Sequence, residues 1–330
     1  MNKGSHLKIA LIELGTNSAK LLIAGISAGP DFESLHLSRV TTRLGAGLEK
    51  NNRIDPINLA KTLETIGAFQ RVIANYACPK TFAYSTHVLR AAVNAPAVLR
   101  AIEDKTGLQV EVLSGQMEAR FAYLSARNRL QLDKPHTVLV DIGGGSTEYV
   151  HAHNGQIESL QSLPLGALYL TSRYLESDPI RRDEYTALET YIDHTIMEAG
   201  QVIIHPDLSP LDIELVASGG AASTLGRMIA AGGDTDYDPA SVPRIKRTAV
   251  SELLEQCLSL PLQQRKLLPG LDPDRADIIV AGLAVILRTM IKVNKRVLRT
   301  NEGGVREGVL MAVIQNGLQR PGETSSRGSV

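Results

Sequence analysis

Tryptophan is absent from this 330-residue chain, and phenylalanine occurs only four times. Large aromatic clusters therefore cannot build its cores. That task falls to aliphatic residues within a hydrophobic share of 43%, the composition of α/β proteins with strands buried on both faces. Cysteine occurs twice, as Cys78 and Cys257. Two thiols cannot form a disulfide framework, so a reducing, cytoplasmic setting is the simple expectation. No apolar run approaches the ~20 residues of a membrane span. The longest, Ile278–Leu287, is ten residues closed by Asp277 and Arg288, and it reads as a buried helix. The segment Met1–Leu7 is too short for a secretion signal. The formal net charge is zero, which argues against a general nucleic-acid coat. Neither a membrane nor a nucleic acid is an expected partner.

Charge is nevertheless uneven. Residues 1–130 hold 16 Lys and Arg against 10 Asp and Glu, a balance of +6; residues 131–330 hold 19 against 25, a balance of −6. On roughly 150 residues per domain the length suggests two domains. The expected division is 1–130 and 131–320, with the C-terminal helix packing back onto the first domain. The polar tail 321–330 reads as disordered.

Short apolar runs alternate with helical periodicity. Lys8–Ile12 and Lys20–Ile26 flank a turn and predict a hairpin. Leu59, Leu63, Ile66, Phe69 and Ile73 predict a helix over 56–75. A strand at Lys80–Ala83, a helix over about 87–103, a strand at Gln109–Leu113 and a helix at Gln116–Arg127 follow. Thr137–Asp141 and Thr147–Ala152 form a second hairpin. The remainder gives a helix near 182–202, a strand at Ile213–Ala217, a helix from Ala221, a helix across 274–293, a strand near 297–300 and a helix from Val305. The class is α/β with mixed sheets.

One internal echo stands out. Glu13-Leu14-Gly15-Thr16-Asn17-Ser18 and Asp141-Ile142-Gly143-Gly144-Gly145-Ser146 match in register, 128 residues apart. Each is an apolar strand ending in a carboxylate, followed by glycine and then serine, with another strand after the turn. Two like-folded domains facing a cleft fit such a duplication. Turns of this composition present backbone N–H groups to phosphate oxygens, and Thr16, Asn17, Ser18, Ser146 and Thr147 add side-chain donors. Three consecutive glycines cost chain entropy that an ordinary hairpin has no reason to spend. Asp141, Glu148 and Glu13, at the strand ends, suit Mg2+ bridged to phosphate.

The string Asp141–Glu148 resembles the second phosphate loop of the exopolyphosphatase/guanosine pentaphosphate phosphohydrolase (Ppx/GppA) family, and the likeness extends along nearly the whole chain. Glu13–Ser18 is similar to the first phosphate loop. Thr86 to Arg90 with Asn94, and Ser114-Gly115-Gln116-Met117-Glu118-Ala119-Arg120, resemble further family segments. Leu165-Gly166, Ser218-Gly219-Gly220, Arg275-Ala276-Asp277 and Arg306-Glu307-Gly308 fall in the expected order. The resemblance implies the acetate kinase–sugar kinase–Hsp70–actin fold, called the actin-like ATPase fold, in its short two-domain form, and a homodimer. Glu13 departs from the family's Asp, Thr16 from its Ser, and Met117 from a second acid found in many members.

The same resemblance implies the reaction. Water attacks the terminal phosphorus of polyphosphate, with Glu118 as general base and Arg90 holding the phosphate. Phosphate binding falls to Gly15, Thr16, Asn17, Ser18, Gly143, Gly144, Gly145, Ser146, Thr147, Ser218, Gly219, Gly220 and Arg275. The metal site comprises Asp141, Glu148 and Glu13, taking Mg2+, with Mn2+ in its place or a monovalent cation beside it. Arg275, Arg299 and Arg306 are the cations available to line a polymer path. His87 reads as structural. His151 and His153 share a strand face at a spacing that suits a metal, but without an evident third ligand they also read as structural. Guanosine pentaphosphate phosphohydrolase, actin-like phosphotransferase, and non-catalytic polyphosphate or nucleotide sensor are the competing readings.

Overall fold

A computed structural model describes residues 7–26, 32–200, 203, 208–232 and 244–319; the tail expected to be disordered lies outside them. The chain forms two compact units. One runs to Ser114 and takes in the residues from Arg306 on; the other is Gly115–Val305.

In the first unit β1 (Leu7–Leu14), β2 (Ala19–Ile26) and β3 (Phe32–Val40) form an antiparallel meander. After α1 (Leu48–Asn51) and α2 (Pro56–Tyr76), β4 (Lys80–Ser85) returns parallel to β1. Then α3 (His87–Ala91), α4 (Ala95–Thr106) and β5 (Val110–Val112) complete a sheet of order β3-β2-β1-β4-β5. Helix α2 starts where Asp55 accepts from the Ile57 amide and Pro56 occupies the first turn, a position where a missing N–H costs nothing. Its apolar stripe, with Ile66, Phe69 and Ile73, packs with α4 on the face of β1 and β2 that carries Ala10, Ile12, Leu21 and Ile23.

The second unit opens with α5 (Gly115–Arg129) and repeats the strand plan with β6 (His136–Ile142), β7 (Thr147–His153) and β8 (Gln156–Leu163) as an antiparallel meander. Helices α6 (Ala167–Tyr174) and α7 (Arg182–Ala199) precede β9 (Ile213–Ser218), which runs parallel to β6. Next come α8 (Gly219–Ala231), β10 (Arg244–Lys246), α9 (Arg247–Ser259), α10 (Leu262–Arg265), α11 (Ile279–Lys292) and β11 (Val297–Thr300). Helix α12 (Val305–Gln315) ends the described order. The sheet order is β10-β11-β9-β6-β7-β8. With β8, β7, β6, β9 and β11 standing for β3, β2, β1, β4 and β5, the second sheet reproduces the first and adds one edge strand. The duplicated turn thus sits on a duplicated fold.

Several details differ from expectation. The single helix predicted across 87–103 is two helices, because a continuous one would drive the Pro96 ring against the Ala92 carbonyl. Asn94 fills the break, accepting from the Ile54 amide at 2.9 Å and donating to the Ile54 carbonyl at 3.0 Å. The helix predicted across 274–293 begins as a 3-10 turn at Pro273–Arg275 and turns α-helical only at Ile279. Helix α5, expected in the first domain, packs on the second sheet: Ala119, Ala122, Tyr123 and Ala126 lie against Leu139, Val150 and Val216. No helix among the described residues is long and apolar enough to cross a membrane. The apolar run at 278–287 is buried against the opposite face of the second sheet.

Helix α11 reaches that position because Gly282 has no side chain: a Cβ there would stand 2.6 Å from the Ala221 Cβ of α8. Gly282→Val should lower unfolding stability by about 1–3 kcal/mol through overpacking, read as a lower urea midpoint at unchanged slope.

Candidate active site

Strand register sets the second unit's polar residues in a row. Asp141 of β6 lies opposite Glu148 of β7 and beside Ser218 of β9. Glu148 in turn lies opposite Ser162 of β8. Four neighbouring strands therefore carry Ser218, Asp141, Glu148 and Ser162 side by side on one sheet face. Two residues down each strand the same face carries Val216, Leu139, Val150 and Leu160, the apolar stripe that α5 covers. The stripe changes from aliphatic to acidic at the end where the turns lie. Glu118, in the first turn of α5, brings a third carboxylate to this end.

All three acids are buried. Each acid of the row is held from its outer side: Ser218 Oγ donates to Asp141 Oδ1, and Ser162 Oγ donates to Glu148 Oε1 at 2.6 Å. Ser146 Oγ donates to the same Oε1 at 2.8 Å. Burial, then the charges of Glu118 and Asp141, push Glu148 well above the usual carboxylate range, against the pull of the two serines. Ser146 and Ser218, expected on phosphate, thus bond acids of the cluster. Ser162 was not legible as a site residue, since β8 alternates too weakly to announce itself as a strand.

The turn between β6 and β7 is closed by the Gly143 amide donating to the Ser146 carbonyl at 3.0 Å. The first amides of α6 hold it from behind: Ala167 donates to the Gly143 carbonyl, and Leu168 and Tyr169 to that of Gly144. In a trans peptide the N–H points opposite to the C=O, so the amides of Gly144 and Gly145 point away from α6. The Thr147 hydroxyl, expected to face substrate, donates to the Leu165 carbonyl at 2.7 Å. Gly166 permits the close approach of α6, because a Cβ there would lie 2.2 Å from the Gly145 carbonyl carbon. At the start of α8, Gly219 has φ +84° and meets the end of β6, while the Arg275 guanidinium lies where a Gly220 Cβ would project, at 2.0 Å.

The first unit builds the same turn with different charge. Gly15 donates to the Ser18 carbonyl at 3.1 Å, and the amides of Gly45 and Arg43 hold the carbonyls of Thr16 and Asn17. A Cβ at Gly45 would strike Thr16 Cγ2 at 2.4 Å, so Leu44-Gly45 serves this turn as Leu165-Gly166 serves the other. No pattern in the sequence marks Leu44-Gly45, whereas Leu165-Gly166 falls within the family resemblance. The corresponding row here is Tyr84, Glu13, Lys20 and Arg39. Lys20 Nζ donates to Glu13 Oε1 at 2.7 Å and Tyr84 to Oε2 at 3.1 Å. Burial alone would raise Glu13, yet Lys20, Arg306 and Tyr84 together hold it below the usual range. The acid expected to join the metal set is therefore an ion-paired carboxylate. Asn17 Oδ1 is buried without a hydrogen-bond partner.

Arg90 Nη1 donates to the Leu113 carbonyl at 2.8 Å. Burial, then Arg90, lowers His87 to about 4, so it is neutral near pH 7. Arg299, expected along a polymer path, is buried and bonds the Gln131 carbonyl at 2.6 Å and Glu214 at 3.4 Å. Arg306 pairs with Glu307 at 2.7 Å. His151 and His153 join His136 in a cluster: the rings of His136 and His153 stack at 4.3 Å, and Glu158 lies 3.3 Å from both His151 and His153. Among the described residues no group of three or more His, Cys, Asp or Glu is arranged to hold a metal ion directly.

The raised Glu148 makes a stability prediction with a definite sign. A carboxyl that binds its proton more tightly when folded contributes stability fully below the unfolded value near 4.5, and loses it as pH rises toward the folded value. Glu148→Gln keeps an acceptor for both serines and removes the charge. In EDTA its Tm should exceed the parent's by at least ~2–4 °C near pH 8, with the difference vanishing near the unfolded value.

Comparison with known proteins identifies the family. The model of the Ppx/GppA phosphatase family matches residues 22–316. Exopolyphosphatase 1 of Mycobacterium tuberculosis is 26% identical over 318 residues, covering 94% of this chain and 89% of the relative. Exopolyphosphatase 2 of the same organism is 27% identical over 325 residues, covering 93% and 98%. The crystal structure of the Aquifex aeolicus Ppx/GppA family member superposes with a TM-score of 0.75 at 25% identity, covering 95% of this chain and 99% of that one. The α/β fold, with its duplicated sheet, is that of the solved Ppx/GppA family member, and the chain belongs to the Ppx/GppA phosphatase family.

Proposed function

We propose that the protein is an exopolyphosphatase that releases terminal phosphate from inorganic polyphosphate, with Glu118 as general base. The observation that carries this reading is the cluster of three buried acids, Glu118, Asp141 and Glu148, in which burial and then mutual repulsion raise Glu148. The names of the mycobacterial relatives favour polyphosphate as the substrate.

The cluster suits a divalent cation by its chemistry. Its donors are hard carboxylate oxygens. A Mg2+ ion takes one or two carboxylates and completes its shell with water and phosphate oxygens, so it needs no ready-made protein cage. Asp141 and Glu148 would hold it; Glu13, paired with Lys20, is left out. When bound, such an ion neutralises charge on the substrate phosphates and on the acids themselves.

The chain's own groups do the rest. Glu118, in the first turn of α5 where the helix N-terminus favours a carboxylate, accepts a proton from water as the water oxygen bonds to the terminal phosphorus. The bond from that phosphorus to its bridging oxygen breaks, and the shortened polymer leaves with the electron pair. The amides of Gly144 and Gly145 bind phosphate oxygens as a backbone nest. The turn at 15–18 offers a second set of backbone amides for phosphate. Arg90 and Arg275 supply guanidinium donors for phosphate.

Phosphate release from polyphosphate and from guanosine pentaphosphate, measured side by side with and without Mg2+, tests the proposal. Polyphosphate should be the better substrate, activity should require the divalent ion, and Glu118→Gln should lower kcat by about 10²–10⁴. Unchanged turnover in that variant would remove Glu118 from its role. Preference for the nucleotide would make the enzyme a guanosine pentaphosphate phosphohydrolase. ATP formation with ADP present would indicate a phosphotransferase, and tight binding without cleavage a sensor.

A further inference from the structure

We infer that Ser162 is a positioning residue that decides which oxygen of Glu148 acts at the site. This rests on the reading of Asp141 and Glu148 as ion-holding carboxylates. Ser162 belongs to none of the motifs discernible in the sequence, and it lies on the outermost strand of its sheet. Register alone brings it to Glu148, directly opposite across the β7–β8 pair. Directly opposed residues in an antiparallel pair share a face, with Cβ atoms about 4.5–5.5 Å apart.

The chemistry lies in where the hydroxyls go. Ser162 and Ser146 donate to the same atom, Oε1, at 2.6 and 2.8 Å. A carboxylate oxygen has two principal lone-pair directions, and these two donors fill both. The oxygen left to ligate an ion or accept a proton is therefore Oε2. Ser146 belongs to the turn itself and approaches from two residues along the chain. Ser162 approaches across the sheet, so the two donors fix the carboxylate plane from different directions. With Ser146 alone the carboxylate is free to swing about its last torsion, which is broad for glutamate, and either oxygen can then point to the ion. The other acid of the row also accepts from a serine on a neighbouring strand, since Ser218 of β9 donates to Asp141 Oδ1.

The test compares Ser162→Ala and Ser162→Thr with the wild type. Mg2+ alone is titrated by isothermal calorimetry, and kcat and KM are measured separately on polyphosphate. Loss of a hydroxyl that orients an ion-holding carboxylate should weaken Mg2+ binding and lower kcat by about 10–100-fold, leaving KM nearly unchanged. Thr restores the hydroxyl on a strand that tolerates β-branching, so it should recover most of both. Wild-type Mg2+ affinity and kcat in Ser162→Ala, with only a lower Tm, would reduce Ser162 to a structural hydrogen bond and overturn the inference. So would a wild type that takes up no Mg2+. If the wild type binds Mg2+ but cleaves no polyphosphate, the proposed substrate fails, while the affinity difference between the variants still decides the role of Ser162.

Discussion

Three carboxylates buried near one another repel, and burial strips away the water that would soften the repulsion. The second unit accepts that cost at one end of a stripe that is otherwise aliphatic. Val216, Leu139, Val150 and Leu160 are replaced in the next row by Ser218, Asp141, Glu148 and Ser162. The row itself carries no cation, and the serines can orient the acids but not neutralise them. The raised Glu148 records the imbalance. A row built this way would gain from a positive ion, which is the basis of the proposed function.

The first unit shows what the same architecture does without that demand. Its row has Glu13 where the second has Asp141, but Lys20 where the second has Glu148. The acid is neutralised in place, and its proton affinity falls instead of rising. Turn closure, the glycine that seats each turn and the strand order are shared. The longer Glu13 side chain spans both Lys20 and Tyr84. Two turns of one design thus carry opposite electrostatics, with Lys20 beside the acid in one row and Glu148 beside it in the other.

Much of this was legible before any coordinates. The two hairpins, the α/β class and the carboxylate–glycine–serine echo came from short-range patterns, and short-range patterns are what strand, turn and helix spacing express. Contacts between residues distant in sequence were not legible. Edge strands β3 and β8 are half-exposed and rich in Ser, Glu, Gln and His, so no alternation marked them, and Ser162 went unseen with its strand. Gly45 and Gly166 do the same work, yet only the one inside a familiar motif drew notice. Pro96 did signal the break between α3 and α4, and the apolar periodicity around it masked the signal. The motif places Glu13 with the metal acids; its pairing with Lys20 depends on cross-strand register, which the motif does not state.

If negative charge in the second unit's row, and not the first unit's acid, holds a divalent ion, Mn2+ binding followed by electron paramagnetic resonance shows it without reference to turnover. Asp141→Asn should abolish stoichiometric Mn2+ uptake, while Glu13→Gln should retain it with little change in affinity. Retention of the ion in Asp141→Asn and its loss in Glu13→Gln would contradict the account.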